Sequence, residues 1–328
     1  MSLPLIRMEG AAPILESRGA RILFDSAEGE GLRCLSHAHM DHAGSPGALN
    51  IMTGETQRIF ASRKRYYRKY LQSPLGVKIT PQEGVSLTAL NSGHMLGSSM
   101  FKLEADGLSI LYTGDMNVYD SILQRGAEQH EAEVLIIEST YGSPIYRFPN
   151  REEIYYQIIK WAARTLAAGE IPALKAYSAG KAQEIMALIN EALRVPVLVA
   201  PEVYEVSKVY KSTYRWLDFL RVGTREGEEV AKNGAVYISP QRDILKLAER
   251  RVRWALATGW VLTRRQEGYD AYFPLSAHSD FQGLFSYAKN SNYKTILTIY
   301  GFSSTLAKHL RRLGINAYSL EEKTQIKL

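Results

Sequence analysis

The chain has 328 residues and a single cysteine, Cys34. One thiol excludes an intrachain disulfide framework and any zinc cluster built from cysteines. Its setting, Arg33-Cys34-Leu35-Ser36, reads as the end of a buried strand, so Cys34 is expected to be a small core residue. Long apolar runs are missing too: no stretch approaches the roughly 18–20 residues that cross a bilayer. Met1 to Gly10 lacks the basic-then-apolar pattern of a signal peptide. A soluble cytoplasmic protein with no membrane partner is the expectation. There is no internal repeat, no low-complexity linker and no acidic surplus. The net charge is +6, which leans modestly toward a polyanionic partner. With 45% hydrophobic and 23% charged residues, global disorder is excluded and a substantial core is expected.

What is present falls into two rhythms. Up to about residue 143 the pattern is one of short strands. Pro13 to Ser17 and Ala20 to Asp25 read as a hairpin around Arg18-Gly19. Met100 to Ala105 and Ser109 to Thr113 flank an Asp106-Gly107 turn. Thr56 to Leu71, rich in Arg, Lys and Tyr, is predicted as a helix. From about Ser143, strands and helices alternate: Ile154 to Ala168 helix, Ile171 to Ala176 strand, Lys181 to Leu193 helix, Val197 to Ala200 strand. The tail, from Asp280, alternates again. Such alternation predicts a parallel sheet covered by helices, and one domain split by an inserted second one.

Three of the seven histidines fall within six residues, in Ser36-His37-Ala38-His39-Met40-Asp41-His42. Neutral imidazole is a preferred zinc ligand, and an interleaved carboxylate can bind metal or take a proton from water. The segment lies between a strand and the turn-like Ala43-Gly44-Ser45-Pro46, where successive side chains can converge; a solvated histidine-rich loop is the bland alternative. Two later pieces reduce that alternative. His94 stands among small residues in Asn91-Ser92-Gly93-His94-Met95-Leu96-Gly97, and Asp115 follows a strand in Tyr112-Thr113-Gly114-Asp115. Singly, each would more often be structural than functional.

In combination these motifs resemble the metallo-β-lactamase superfamily: an aspartate after a strand (Asp25), the HxHxDH cluster, a later histidine and a later aspartate. The resemblance implies an α/β fold, an αββα sandwich, with His37, His39 and His94 holding one zinc. Asp41 and His42 would hold a second, Asp115 would bridge, and Asp25 would orient a ligand from behind. Ile136-Ile137-Glu138-Ser139-Thr140 and Pro274-Leu275-Ser276-Ala277-His278 look like motifs A and B of the β-CASP branch, whose members are nucleases. That branch implies an inserted β-CASP α/β domain over residues 144–269 within a metallo-β-lactamase domain made of 1–143 and 270–328. The stretches Gly142 to Pro149 and Gly180 to Gln183 look closest to short prokaryotic members described as ligase-associated DNA exonucleases or mRNA 3′-end processing factor-like proteins.

By that resemblance the chain is expected to be a zinc-dependent nuclease, with manganese an acceptable substitute, acting as a single-strand exonuclease on DNA. Asp41 would orient or deprotonate water, and His278 would stabilise the phosphate or protonate the leaving oxygen, with Glu138 setting its tautomer. The chain departs from the family at motif C. Many RNA-processing members carry a His-Gly there, whereas this chain has Tyr300-Gly301, which leaves the second metal in question and tilts the reading to DNA. Candidate nucleic-acid contacts are Arg65 and Lys69 in the basic, tyrosine-rich run 63–70, and Ser178 and Lys181 at a helix start. A repair or RNA-processing complex is the implied partner. The competing readings are an RNA-processing β-CASP ribonuclease, a non-catalytic nucleic-acid-binding scaffold and a small-molecule metallo-hydrolase.

Overall fold

A computed structural model describes residues 4–17, 19–45, 49–242, 249–323 and 325–327. The turn readings at Arg18 and Pro46 lie outside the described residues. Among those described, no helix is long and apolar enough to cross a membrane. The chain divides into two compact units. The first contains residues 1–120, 124–147 and 278–328, and the second contains 121–123 and 148–277.

The first unit holds two seven-stranded sheets. In one, the hairpin Ala12–Ser17 with Ala20–Phe24 is antiparallel, and Leu32–Cys34, Asn50–Met52 and Tyr70–Gln72 then add in parallel. In the other, Val85–Asn91, Ser99–Ala105 and Leu108–Tyr112 run antiparallel. Val134–Glu138, Thr295–Ile299 and Ala317–Ser319 extend it in parallel.

Period-two alternation sorts the side chains of this second sheet. Phe101, Ile110, Tyr112, Val134 and Ile136 join Ile22, Phe24 and Cys34 of the first sheet in one core. Their chain neighbours Met100, Leu111, Leu135 and Ile137 point the other way, onto Phe281, Leu284, Leu306 and Leu310 of the helices Phe281–Lys289 and Ser303–Arg311. Val134–Glu138 is buried on both faces, which explains why it is an unbroken apolar run ending in one carboxylate. Cys34 is buried and unpaired, and burial pushes its thiol well above the ordinary value.

The helix predicted from Thr56 to Leu71 is shorter. It spans Gly54–Ser62, capped by the Thr53 hydroxyl, which accepts from Thr56 N at 3.2 Å. It stops because Lys64 adopts a left-handed φ of 60°, with Lys64 N donating to Ala61 O and Arg65 N to Phe60 O. The basic run 63–70 is therefore a turn leading to the edge strand Tyr70–Gln72, and no helical face displays its cations.

The second unit is built on six parallel strands. Their order across the sheet is Leu220–Arg221, Val197–Val199, Val236–Ser239, Ile171–Lys175, Val252–Ala257 and Ala271–Phe273. Helices Arg151–Ala167, Lys181–Ala192 and Pro201–Thr213 turn Ile154, Ile158, Ile185, Ile189, Val203 and Val206 inward.

Candidate metal centre

In the first unit the chemistry-bearing residues gather where parallel strands end. Asp25 follows Ala20–Phe24, and His37 to His42 follow Leu32–Cys34 and include a short 3-10 turn at Met40–His42. Asp115 follows Leu108–Tyr112, Glu138 ends its strand, and Tyr300 follows Thr295–Ile299. His94 sits in the loop between Val85–Asn91 and Ser99–Ala105, which Thr53 and Thr56 pin by donating their hydroxyls to Gly97 O at 2.6 and 2.9 Å. Gly114 lets the Asp115 turn close: its φ is +52°, and a Cβ there would lie 2.4 Å from Ser36 Cβ.

Four side chains converge: His37, His39, His94 and Asp115. His37 Nε2 and His94 Nε2 lie 3.0 and 3.2 Å from His39 Nδ1, and Asp115 Oδ2 is 3.3 Å from His37 Nε2 and 3.7 Å from His94 Nε2. Ligands about 2.0–2.1 Å from a tetrahedral zinc stand roughly 3.3 Å apart, so this donor set fits a divalent cation of that class.

The tautomer of His37 follows from its neighbours. The Ser36 hydroxyl donates to Asp25 Oδ2 at 2.9 Å, leaving its oxygen to accept from His37 Nδ1–H, also at 2.9 Å. The Nε2 lone pair then faces the cluster. Burial, and then the neighbouring histidines, push His37 far below the ordinary imidazole value, so it stands neutral, as a ligand must.

Asp25 is a buried hub in a left-handed conformation, φ 48°. It accepts from Ser36 N at 2.7 Å, from Tyr112 Oη at 2.5 Å and from His42 Nδ1 at 2.9 Å. His42 Nε2 is thereby aimed at Asp115 Oδ1, 3.7 Å away. Burial alone would lower the His42 pKa, but Asp115 and Asp25 outweigh it and raise it to about 10. A cation arriving on the His42 side must therefore displace a proton, whereas His37 already offers a neutral imidazole. Asp41 lies at the rim, its side chain 83% exposed and its carboxylate 3.9 Å from His42 Nε2.

Glu138 and His278 form a second pair. Glu138 is fully buried and accepts from Met116 N at 2.8 Å, Thr140 N at 3.1 Å and His278 Nδ1 at 2.9 Å. Burial would raise this carboxyl, but His278 and these donors hold it below the usual range. Saturated in this way, Glu138 is a poor ligand and a good orienter: it leaves His278 Nε2 facing Asp115 Oδ2 at 3.7 Å. Burial raises Asp115 to about 6 against the opposing pull of His42 and His278.

Tyr300, also left-handed at φ 62°, has its ring 5.8 Å edge-on from that of His42 and its hydroxyl 3.4 Å from Tyr112 Oη. Burial and then Asp25 push its phenol well above 10, so it stays protonated. Tyr112 and Ser36, both contacts of Asp25, escaped sequence reasoning. The available signal was a tyrosine closing an aliphatic strand, whose buried hydroxyl must find a partner.

The candidate nucleic-acid contacts fare differently. Arg65 spends its guanidinium on Gly44 O, Ala43 O and Tyr67 Oη, bracing the turn behind His42. Lys69 is exposed. Ser178 is half-buried, and its carbonyl accepts from Gln183 Nε2 at 3.0 Å. Lys181 is buried, with its ammonium 4.9 Å from the centre of the Tyr177 ring, and is no surface cation.

Strand-end histidines around a shared aspartate, on two sheets with one common core, make a cluster that could hold a metal ion. The homologues that the chain matches are metallo-β-lactamase β-CASP nucleases. It is 30% identical over 313 residues, 90% of its length, to a protein of Opitutus terrae named "Probable DNA ligase", covering 29% of that protein. It is 37% identical over 144 residues, 42% of its length, to the "RNase J-like protein" of Methanocaldococcus jannaschii, covering 34% of it. The chain thus spans about a third of each of these relatives. Among solved structures, a protein of unknown function from Enterococcus faecalis V583 superposes with a TM-score of 0.69 over the whole of both chains at 13% identity, a likeness of fold. No family model matches the chain.

Proposed function

We propose that this chain is a metal-dependent nuclease that hydrolyses phosphodiester bonds, acting as an exonuclease on single-stranded DNA. The observation that carries this is the convergence of His37, His39, His94 and Asp115 beside a histidine, His278, oriented by a buried carboxylate. The first unit is read as the αββα metallo-β-lactamase domain and the second as the β-CASP insertion. His37, His39 and His94 would hold a zinc ion with Asp115, and Asp41 and His42 would flank a second position; manganese suits the same donors. A bound divalent ion lowers the pKa of nearby water and neutralises charge building on phosphoryl oxygens.

The remaining steps belong to side chains. Asp41 is open to solvent at the rim, where a carboxylate can accept a proton from an incoming water. His278 Nε2 faces the centre, where it can bind a phosphoryl oxygen or protonate the departing one, while Glu138 fixes its ring. DNA is favoured because the relative matching along 90% of the chain is named "Probable DNA ligase", which points to DNA as the shared polymer. The RNase J-like relative favours RNA as the second reading.

The test uses single-stranded DNA and RNA, each labelled separately at either end, with zinc or manganese. A mononucleotide ladder from one DNA end, lost in Asp41→Ala and in His278→Ala with metal content retained, is expected. RNA cleavage alone would move the substrate to RNA. Absence of cleavage of either polymer by the metal-loaded protein overturns the proposal.

A further inference from the structure

The second unit has a cavity of about 470 Å³ across the carboxyl ends of three adjacent inner strands, Val236–Ser239, Ile171–Lys175 and Val252–Ala257. Its position is set by topology. From Ile171–Lys175 the chain leads to strands on one side of it, and from Val252–Ala257 to Ala271–Phe273 on the other. The loops leaving these adjacent strands diverge, and the crevice so formed is where open parallel sheets take ligands.

The lining combines two chemistries. Tyr177, 58% exposed, and the half-buried Trp260 offer flat aromatic surface, with Pro240 and Leu256 adding apolar contact. Lys175 and Arg264 supply two cations, and among the described residues no carboxylate lines the cavity. Arg264 is fixed beside the aromatic group, since its backbone N donates to Trp260 O at 2.9 Å in the turn that closes Gly259–Leu262. The volume lies within the range of small-molecule sites, large enough for a base, a sugar and a phosphate together.

The geometry points to a binding site for a nucleoside monophosphate group in this cavity, its base stacked on Trp260 or Tyr177 and its phosphate held by Lys175 and Arg264. Stacking on a ring accepts any base, and the cations require the phosphate. The group can come from a free mononucleotide or from one residue of a single strand. The inference deepens the nuclease reading but is tested apart from it, because a mononucleotide has no internucleotide bond to cut.

The experiment is calorimetric titration of the whole 328-residue, metal-loaded chain with AMP, adenosine and inorganic phosphate, followed by competition with a 5′-phosphorylated hexadeoxynucleotide with phosphorothioate linkages. AMP is expected to bind saturably and at least about tenfold more tightly than adenosine or phosphate alone. Trp260→Ala is expected to weaken AMP about tenfold or more, Trp260→Phe to restore most of that, and Arg264→Ala to weaken AMP while sparing adenosine. Arg264 is exposed, so its substitution leaves the core intact, and superposable melting curves would verify folding. Displacement of AMP by the hexamer supports the site with a strand as the source, and AMP binding without displacement supports it with a free nucleotide as the source. Absence of saturable AMP binding, or binding equal to wild type in both Trp260→Ala and Arg264→Ala, overturns it, whatever the nuclease assay returns.

Discussion

Each unit buries a cluster of charged and polar side chains, and these two clusters are built on opposite terms. In the second unit Arg151 reaches Glu184 and donates to Ser276 O at 2.6 Å, while Tyr155 Oη donates to the same Glu184 oxygen at 2.5 Å and accepts from Ile122 N at 3.2 Å. Donors there meet acceptors. Burial would lower the Arg151 pKa, but Glu184 and Tyr155 outweigh it and raise it. In the first unit ligand-type atoms crowd together instead: His37 Nε2 and His94 Nε2 stand 3.0 and 3.2 Å from His39 Nδ1, and His37 Nε2 is 3.3 Å from the Asp115 carboxylate. Metal-ligand atoms packed this closely in a low dielectric gain from a cation that all of them can share. Burial and polarity are common to both clusters; the convergence of ligand-type atoms on one point separates a site from a strut.

The contrast breaks most visibly in the histidine cluster. His37→Ala is expected to lose bound metal, measured by elemental analysis, and with it at least about 100-fold in nuclease activity. In the wild type a chelator should lower the melting temperature, because a ligand of the folded state stabilises it; in His37→Ala the chelator should have little effect. Glu184→Ala should do the reverse. It strands Arg151 without its partner and should cost about 3–5 kcal/mol in urea unfolding, with metal content unchanged.

Lys181, next to that strut, sharpens the comparison through pH. Burial holds its ammonium down to about 8 from the ordinary 10.5, although Glu184 pulls the other way and Arg151 adds to the lowering. Between those values the folded chain binds fewer protons than the unfolded one, so stability rises with pH through that window and the charged form is penalised below it. Unfolding at pH 7, 8 and 9.5 should show a rise of roughly 1–2 kcal/mol that Lys181→Met removes. The smallest effect is expected at Tyr300→Phe. Its hydroxyl makes one long contact, 3.4 Å to Tyr112, so stability should change by less than about 1 kcal/mol and metal content not at all.

How far these features could be read in the sequence depends on how local their causes are. The His37 to His42 spacing is local, and hairpins such as that around Asp106-Gly107 are fixed by their turns, so strand ends were legible to within a residue or two. The helix past Ser62 was overextended because charge and aromatic content suggest an amphipathic face, while the left-handed turn at Lys64 has no sequence signature. The pairing of Glu138 with His278 spans 140 residues and was reachable only through family resemblance. Tyr112 was missed because its role comes from Asp25, which the core brings to it from the opposite sheet. The cavity of the second unit was invisible for a related reason, since strand order across a sheet is not written in periodicity.

The sheet order has a further consequence, in time. Val134–Glu138 pairs on one side with Leu108–Tyr112 and on the other with Thr295–Ile299, so its second neighbour emerges from the ribosome about 150 residues later. At roughly 5–20 residues per second, the edge of this largely apolar strand stays open for about 8–30 s of synthesis. During that interval the nascent chain carries an unpaired template for association, and a chaperone or slowed translation over 139–294 should raise the yield of native protein.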